Sequence, residues 1–364
     1  TNYSLDQEFY VSQHIFDLDV KNIFSKQWVF VGHISRIPNY GDYFLFNIGK
    51  ESIIIIRDKD NAVHAHYNVC RHRGSQICLE NEGNSKVLIC PYHAWTYNVD
   101  GSLKGARLMD KDFNKNDWHL HKCNSKLFEG LIFINLSEHP NDFEEFITPT
   151  KKFIEFHGLA DAKIAHRQYY PTDGNWKLTL DNFHECYHCQ PSHPEYCQVH
   201  DKDYIVAYGA GSNTGPASEK FDNILNEWNT KVKKMGHLTG EYSETEFNDY
   251  SRSAERTPLK EGMFTETKTG KPISKLMGNF KDYDCGYTSV GTSPFNSLLM
   301  CNDFATLFTF IPISPLYTQV ELMWLVHKDA EEGKDYNIEE MKWMWDVTTI
   351  ADKRIIEDNQ KKKK

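Results

Sequence analysis

The chain has 364 residues, of which 40% are hydrophobic and 25% charged, so its length suggests two domains with sizeable cores. The formal net charge of −10 argues against a nucleic-acid partner, because phosphate binding requires clusters of Lys and Arg. No apolar run approaches the roughly 20 residues of a membrane-spanning helix, and residues 1–20 lack the basic start and apolar stretch of a signal peptide.

The first part of the chain predicts one helix followed by a small antiparallel β domain. Apolar residues at roughly helical spacing predict a helix over residues 8–28. Short β-rich segments separated by turn residues predict the strands that follow. These predicted strands are 29–31, 43–48, 52–57, 62–67, 94–97 and 131–135. We therefore place an all-β domain at residues 28–140.

The composition changes at residue 141, where a second domain with helices and a longer sheet is predicted. Its helices are expected at 141–157, 176–187 and 338–359, and its strands at 166–172, 305–313 and 319–327. Residues 209–290, rich in Gly, Ser, Asn and Lys, predict long loops around a pocket. Residues 1–27 and 141–364 thus form the second domain of an α+β chain.

Two loops of the first domain each offer one thiolate and one imidazole to a metal. They are Cys70-x-His72 and Cys90-x-x-His93. A single zinc ion would accept two Cys and two His. In a Rieske [2Fe–2S] centre, by contrast, both Cys bind one iron and both His bind the other. Because each loop then supplies one ligand to each iron, the mixed spacing favours the Rieske interpretation.

Residues around these ligands resemble the pattern of Rieske proteins, C-x-H-R-G followed by C-P-Y-H-x-W-x-Y and a later Gly. The matching residues are Arg71, Arg73, Gly74, Pro91, Tyr92, Trp95, Tyr97 and Gly101. Some Rieske proteins join their two loops by a disulfide, but Cys78 has no counterpart here because Tyr92 lies in the second loop. The seven cysteines outside the predicted cluster show no disulfide framework, which favours a reducing cytoplasm.

A second group of metal-binding residue types lies in residues 181–193. On a predicted helix ending near Pro191, Glu185 and His188 share a face, and His193 follows where the chain can fold back beside His188. Two His and a carboxylate form the facial triad of mononuclear non-haem Fe(II) oxygenases, with positions left open for O₂.

The pair Cys186-x-x-Cys189 in the same segment is also typical of zinc binding or redox chemistry. We expect neither, because no second Cys pair accompanies it and small buried cysteines are common. With a Rieske motif upstream, the segment instead resembles the mononuclear iron motif of Rieske oxygenases, [DE]-N-x-x-[DE]-x-Y-H-x₄-H.

This resemblance covers nearly the whole chain and implies an oxygenase (alpha) subunit with a helix-grip-like catalytic domain, a [2Fe–2S] cluster and mononuclear Fe(II). The family's D-x₄-E-x₂-Q pattern implies Asp352 as the third iron ligand, followed by Glu357 and Gln360, with Asp358 as the alternative. It also implies that Glu185 links the Rieske His of one subunit to the iron site of its neighbour. A cyclic homo-oligomer, most simply a homo-trimer, provides that contact.

The resemblance further implies that O₂ is a co-substrate and that electrons come from NAD(P)H. No G-x-G-x-x-G stretch or flavin domain is present, so a separate reductase with flavin and a plant-type [2Fe–2S] domain is expected. The stretch 184–195 looks most like monooxygenases that hydroxylate and demethylate quaternary ammonium compounds such as glycine betaine, carnitine or stachydrine.

Aromatic faces hold methylammonium groups, so the cationic substrate is expected near aromatic residues of the predicted sheet, although such residues more often form the core. The residues expected there are Phe304, Phe308, Phe310 and Trp324. Two alternatives remain at this point. One is an aromatic-ring hydroxylating oxygenase. The other is a Rieske electron-transfer protein, which leaves His188, His193 and Asp352 unexplained.

Overall fold

The computed structural model describes residues 4–110, 112–206, 215–243 and 252–363. The chain divides into two compact units, Asp19–Asn141 and Thr1–Leu18 with Asp142–Lys364. Within the described residues, no helix combines the length and the apolar character needed to cross a membrane.

The predicted helix over residues 8–28 is interrupted twice. The structure has helix α1 (Glu8–Val11), helix α2 (Gln13–Asn22) and a 3₁₀ turn at Phe24–Lys26. Ser12 separates the first two, because its extended backbone ends α1 and its Oγ accepts a hydrogen bond from the Ile15 N–H at 3.3 Å. Ser is a preferred N-cap, so the single predicted helix is wrong for a local reason.

The unit Asp19–Asn141 contains ten short strands in three antiparallel sheets. They are β1 (Val29–His33), β2 (Asp42–Ile48), β3 (Glu51–Arg57), β4 (Val63–Tyr67), β5 (Glu82–Asn84), β6 (Leu88–Ile89), β7 (Thr96–Tyr97), β8 (Leu103–Gly105), β9 (Asn124–Phe128) and β10 (Leu131–Asn135). The sheet orders are β1-β10-β9, β4-β3-β2-β5 and β6-β7-β8. The strand predicted at 94–97 is shortened because Ala94 has a positive φ of 58°, which a strand does not accommodate.

The other unit is built on one seven-stranded antiparallel sheet. Its strands are β11 (Ala162–Thr172), β12 (Glu241–Ser243), β13 (Ser253–Pro258), β14 (Gly286–Gly291), β15 (Asn296–Met300), β16 (Phe304–Ser314) and β17 (Tyr317–His327). The order is β11-β17-β16-β15-β14-β13-β12. Strand β16 is buried along most of its length, so this sheet forms the core of the unit.

The remaining helices of this unit pack on the sheet or on one another. They are α3 (Phe143–His157), α4 (Trp176–Phe183), α5 (Cys189–Ser192), α6 (Pro194–Val199), α7 (Lys202–Tyr204), α8 (Pro216–Lys234) and α9 (Ile338–Lys363). Helix α9 contacts α4, α6 and β11. The middle turns of α9 therefore lie beside the segment that connects α4 to α6. The α+β fold class, with a small β domain and a helix-covered antiparallel sheet, is confirmed.

Two predictions for this unit are wrong. The helix expected over 176–187 ends at Phe183, and Pro191, expected near the end of that helix, instead lies inside the separate short helix α5. The region 209–290, expected to be loops, contains α8, β13 and β14 among its described residues; 209–214 and 244–251 lie outside them. Helix α8 was missed because its composition is mostly polar, although its buried apolar residues Phe221, Trp228 and Val232 recur at helical spacing.

Candidate metal centres

The predicted cluster ligands lie at the ends of two loops of the first unit. Cys70 and Cys90 are each only 2% exposed, whereas His93 is exposed and His72 is partly buried. The Nδ1 atoms of His72 and His93 lie 3.1 Å apart. The thiols therefore face the interior and the imidazoles form the outer tip.

This separation of thiols from imidazoles bears on the zinc alternative. A tetrahedral zinc site would gather all four donor atoms around one point. Among the described residues, one group brings three donor atoms close enough together to bind a single ion. It consists of His188, His193 and Asp352. The paired arrangement of the loop ligands fits two irons, each bound by one pair.

Hydrogen bonds and stacking hold the two loops in place. The Cys70 N–H donates to the Ser75 carbonyl and the Cys90 N–H to the Trp95 carbonyl, both at 2.8 Å. The buried Trp95 ring stacks on His72 with centroids 4.9 Å apart. These contacts fix the donor positions before a metal binds.

The buried Tyr97 hydroxyl connects the two loops. It accepts a hydrogen bond from the Arg71 N–H at 3.2 Å and lies 3.3 Å from the Cys70 Sγ, to which it can donate. Burial and the neighbouring Cys70 raise the pKa of the phenol, so the Tyr97 hydroxyl keeps its proton. A proton donor is thus directed at a sulfur atom that the sequence predicts to bind iron.

The second predicted centre is assembled from three separate elements. His188 precedes α5, His193 lies between α5 and α6, and Asp352 projects from the middle of α9. The Asp352 Oδ1 lies 2.9 Å from the His193 Nε2 and 3.3 Å from the His188 Nε2. The ligand atoms of all three residues lie within 4.8 Å of one another.

The electrostatics of these three side chains suit a metal. Burial would raise the pKa of Asp352, but hydrogen bonds from His188 and His193 reverse this effect and lower it, so the carboxylate is ionised. The same hydrogen bond with Asp352 raises the pKa of His188, and a metal at this point would compete with that proton for the ring nitrogen. Two imidazoles and one ionised carboxylate on one side of a pocket match the donor set of Fe(II) with open coordination positions.

Glu195 is a residue of this centre that motif spacing did not identify. Its carboxylate is 7% exposed, and its Oε1 lies 3.3 Å from the His193 Nδ1, although not in good hydrogen-bond geometry. The Thr348 hydroxyl on α9 donates to the same oxygen at 2.9 Å. A carboxylate behind a ligating His commonly sets the orientation of the ring.

Two other acids of α9, Asp346 and Asp358, have other partners. Asp358 is exposed and pairs with Lys361 at 2.9 Å, while Asp346 accepts a hydrogen bond from the Tyr170 hydroxyl at 2.6 Å. Gln360 is fully buried and its Oε1 accepts a hydrogen bond from the Asn175 N–H, at the start of α4, at 2.8 Å. That contact ties α9 to α4 and helps to bring Asp352 opposite the two imidazoles.

Glu185 does not share a helical face with His188, as was predicted, because α4 has ended two residues earlier. The two residues nevertheless contact each other, with the Glu185 Oε2 3.2 Å from the His188 Nδ1. The Glu185 carboxylate also accepts a hydrogen bond from the Tyr187 N–H. Its side chain is 50% exposed, so one side of the carboxylate faces outward.

The structure corrects the prediction that Cys186 and Cys189 are unpaired, because their sulfur atoms form a disulfide. This bond encloses Tyr187 and His188 in a small loop between Glu185 and α5. The other seven cysteines of the chain are free thiols. The chain between Glu185 and His188 is not helical, since α4 ends at Phe183 and α5 begins at Cys189.

A cavity of about 240 Å³ opens beside the second centre. His188, His193 and Asp352 form part of its wall. Its other principal side chains are Asn182, Phe183, Glu185, Tyr196, Tyr204, Ser253, Glu255, Tyr287, Asn296 and Trp345. An apolar cavity of about 150 Å³ can hold benzene, so this one suits a small organic molecule.

The aromatic residues expected to lie near the iron are divided between the core and a smaller recess. Phe304 and Trp324 are buried in the sheet at 1% and 0% exposure. Phe308 and Phe310 pack on Phe183 with centroids 5.2 and 4.8 Å away, beside the recess that also contains Asp352. The main cavity instead obtains most of its aromatic wall from other elements.

Known proteins with similar sequences or folds share both parts of this arrangement. A family model described as the ring hydroxylating alpha subunit (catalytic domain) matches residues 159–362, and a Rieske [2Fe-2S] domain model matches residues 27–122. The glycine betaine monooxygenase oxygenase subunit of Pseudomonas aeruginosa (strain PAO1) is 35% identical over 365 residues, covering 99% of this chain and 82% of the relative.

Two further relatives extend the comparison. The carnitine monooxygenase oxygenase subunit of Escherichia coli (strain K12) is 36% identical over 199 residues, which cover 53% of each chain. A solved quaternary ammonium Rieske monooxygenase shares the fold with a TM-score of 0.72 at 24% identity, covering 98% of this chain and 85% of that one. The chain belongs to the Rieske non-haem iron oxygenases and contains both the [2Fe–2S] domain and the mononuclear iron domain of their oxygenase (alpha) subunit.

Proposed function

We propose that this chain is the oxygenase component of a monooxygenase that hydroxylates an N-methyl group of a small quaternary ammonium compound. The observation that carries the proposal is the cavity beside the predicted iron site, which has aromatic and acidic walls and no Lys or Arg among its described lining residues. Relatives that cover most of the chain are glycine betaine monooxygenase subunits. Hydroxylation of the methyl carbon gives a hemiaminal, which releases formaldehyde, a proton and the demethylated amine.

In this proposal His188, His193 and Asp352 hold the mononuclear iron, which supplies O₂ activation when bound. Glu195 sets the orientation of the His193 ring from behind. The cavity places the N-methyl carbon on the open side of the three ligands. Burial of His193 and Asp352 limits water at that point, which protects the reacting group from side reactions.

The other ligand set is Cys70, His72, Cys90 and His93, which we propose to hold the [2Fe–2S] cluster. The exposed His93 provides the outer edge at which electrons leave. A separate reductase containing flavin and a plant-type [2Fe–2S] domain is proposed to bring electrons from NAD(P)H. The two functional domains are proposed to be residues 28–140 and residues 1–27 with 141–364.

The finer proposals concern assembly and location. A homo-trimer is proposed, in which Glu185 of one subunit accepts a hydrogen bond from a Rieske His of the next. Its half-exposed carboxylate beside His188 supports this role. A cytoplasmic location is proposed because the five cysteines outside the proposed cluster ligands and the disulfide are free thiols.

Tyr97→Phe is expected to lower the midpoint potential of the cluster by roughly 40–60 mV. A hydroxyl that donates to the Cys70 sulfur stabilises the more negatively charged reduced cluster, and one such hydrogen bond contributes about 1 kcal/mol. The potential is measured by spectroelectrochemical titration. Tyr92→Phe is the matched control, because the ring of Tyr92 packs on His93 and the residue is exposed. Equal potentials in the wild type and Tyr97→Phe contradict this role.

A substrate screen tests the proposed function. With a surrogate reductase, NADH and O₂, the protein is expected to produce formaldehyde from at least one of glycine betaine, carnitine, stachydrine or choline. Substrate-dependent NADH oxidation should accompany this product. Simple aromatic compounds should give no cis-diol. Cis-diol formation without turnover of any amine overturns the quaternary ammonium proposal and favours ring hydroxylation.

The electron-carrier alternative is tested by metal content. The oxygenase requires about three irons per chain and the carrier about two, because only the oxygenase holds an iron outside the cluster. The carrier alternative is favoured by two results together. The protein retains its full cluster spectrum but contains only two irons per chain, and it turns over no amine after iron is added back.

A further inference from the structure

One half-buried acid in the cavity has no role in the functions proposed above. Glu255 lies on β13, opposite Ser289 of the neighbouring strand β14, and both side chains line the cavity. The Tyr204 hydroxyl donates a hydrogen bond to the Glu255 Oε1 at 2.9 Å. The residue is therefore fixed on the wall of the cavity and is not part of a surface cluster.

The fully buried acids of this unit are balanced by basic or several polar partners. Asp284 pairs with Arg256 at 3.0 Å and with His237 at 2.9 Å. The Glu266 Oε1 lies 3.0 Å from the His200 Nε2. Among the described residues, Glu255 has no ion pair with Lys, Arg or His within 4 Å. A carboxylate in such a position is costly unless a cation compensates it.

The surroundings of the Glu255 carboxyl raise its pKa. Burial raises its pKa and the nearby Glu241 raises it further, whereas the hydrogen bond from Tyr204 and the charge of His200 lower it. A cation bound in the cavity would oppose the effect of burial and favour the ionised form.

Aromatic side chains accompany this carboxylate on the same wall. Tyr196, Tyr204, Tyr287 and Trp345 all line the cavity. Burial raises the pKa values of the three Tyr phenols, so they remain neutral. Neutral aromatic faces attract quaternary ammonium groups, and a carboxylate beside them supplies the opposite charge.

The cavity offers no comparable partner for a substrate carboxylate. None of its described lining residues is Lys or Arg. The stretches 207–214 and 244–251, which lie outside the described residues, contain no Lys or Arg in the sequence. Arg252, which follows the second stretch, donates to the Glu145 and Phe146 carbonyls at 3.0 and 2.8 Å.

We infer that Glu255 is the counter-ion of the substrate's ammonium group and that the cavity favours a substrate with a net positive charge over a zwitterion with the same head group. This inference rests on the proposed function and specifies its substrate class. A choline-like cation keeps the attraction to Glu255 without introducing a second negative charge. A betaine introduces a carboxylate into a cavity that already contains Glu255.

Ligand binding to the iron-loaded protein tests this inference without relying on turnover. The probes are choline, glycine betaine and the neutral carbon isostere of choline, 3,3-dimethylbutan-1-ol, with Kd measured by calorimetry. The wild type should bind choline roughly tenfold or more tighter than the neutral isostere, the size expected for a charge-assisted contact. Choline should also bind tighter than glycine betaine.

Glu255→Gln removes the charge but retains an oxygen that can accept the Tyr204 hydrogen bond. This variant should lose most of the preference for choline over both other probes, and Glu255→Asp should retain part of it. Glu261→Gln is the matched control, because Glu261 is exposed and lies outside the cavity lining. Iron content and circular dichroism check that each variant is folded and loaded.

The outcomes separate this inference from the proposed function. Turnover of a methylammonium compound by the wild type, combined with unchanged probe preferences in Glu255→Gln, overturns the counter-ion role alone. Tighter wild-type binding of glycine betaine than of choline overturns the preference for a net cation. Absence of turnover of every amine in the screen overturns the proposed function, whatever the binding preferences are. If Glu255→Gln does not fold, equal wild-type affinities for choline and its neutral isostere still contradict the inference.

Discussion

Asp352→Ala is expected to lose the mononuclear iron and nearly all turnover while retaining the visible spectrum of the [2Fe–2S] cluster. Asp352 is the carboxylate that contacts both imidazoles, at 2.9 and 3.3 Å, so its loss leaves two neutral ligands on the open side of a cavity. Even the loss of a group that only orients a ligand costs about 10–100-fold in metal affinity. The iron content should fall from about three to about two per chain.

Asp358→Ala is the matched control for this experiment. Asp358 lies on the same helix but is exposed and paired with Lys361. Its replacement should leave both iron content and turnover at wild-type values. Loss of the mononuclear iron in Asp358→Ala, with an active Asp352→Ala, would show that the wrong carboxylate has been assigned.

Much of the cluster domain was predictable because short stretches of sequence determine its turns and its ligand spacing. Turn residues separate short strands, and the ligand spacing of Cys70, His72, Cys90 and His93 lies within two loops. The six predicted strands lie within a few residues of observed ones, but β5, β6, β8 and β9 were not among them. The main exception is Ala94, whose positive φ depends on the tight loop around Cys90 and is not evident from an alanine in the sequence.

The mononuclear site was predictable only in part. Residue types and spacing identified His188 and His193, but a helix with several acids required the family pattern to select Asp352. The physical reason for that choice appears in the structure, where buried Gln360 bonds to Asn175 and sets the position of α9. The predicted helix through residue 187 was wrong, since local apolar spacing did not indicate the end of α4 at Phe183.

The walls of the cavity could not be predicted from the sequence. Tyr196 and Tyr204 come from short helices, whereas Glu255 and Tyr287 come from β13 and β14. These residues are far apart in the chain, and only the sheet register and helix packing bring them to one surface. The expected aromatic stripe on β16 and β17 instead supplied mainly core contacts, as such stripes commonly do.

Glu185→Gln is expected to retain both metal centres but lose nearly all product formation. In the proposed ring, Glu185 accepts one hydrogen bond from His188 and another from a Rieske His of the neighbouring subunit. The first contact is present at 3.2 Å, and the half-exposed side chain leaves room for the second. The Gln amide has only one oxygen, which is uncharged, so it cannot accept both hydrogen bonds as the carboxylate does. Its NH₂ group is a donor and would face the N–H donor of an imidazole.

Stopped-flow spectroscopy distinguishes a transfer defect from a loss of either metal. The reduced cluster of Glu185→Gln should reoxidise much more slowly than that of the wild type when substrate and O₂ are added. Iron content and the cluster spectrum should remain unchanged. Glu261→Gln, an exposed Glu outside the cavity, is the control and should reoxidise at the wild-type rate. Rapid reoxidation with normal product yield in Glu185→Gln excludes the bridging role.

Mixed oligomers test whether electrons cross between subunits. His93→Ala is expected to lose the cluster and His188→Ala the mononuclear iron, so each variant alone should be inactive. After co-expression, a mixed ring places an intact cluster of one subunit beside an intact iron of another, and part of the activity should return. Adding Glu185→Gln to the His93→Ala partner, which holds the intact iron site, should abolish this recovery. Mixed oligomers that contain both metals but remain inactive would contradict electron transfer between subunits.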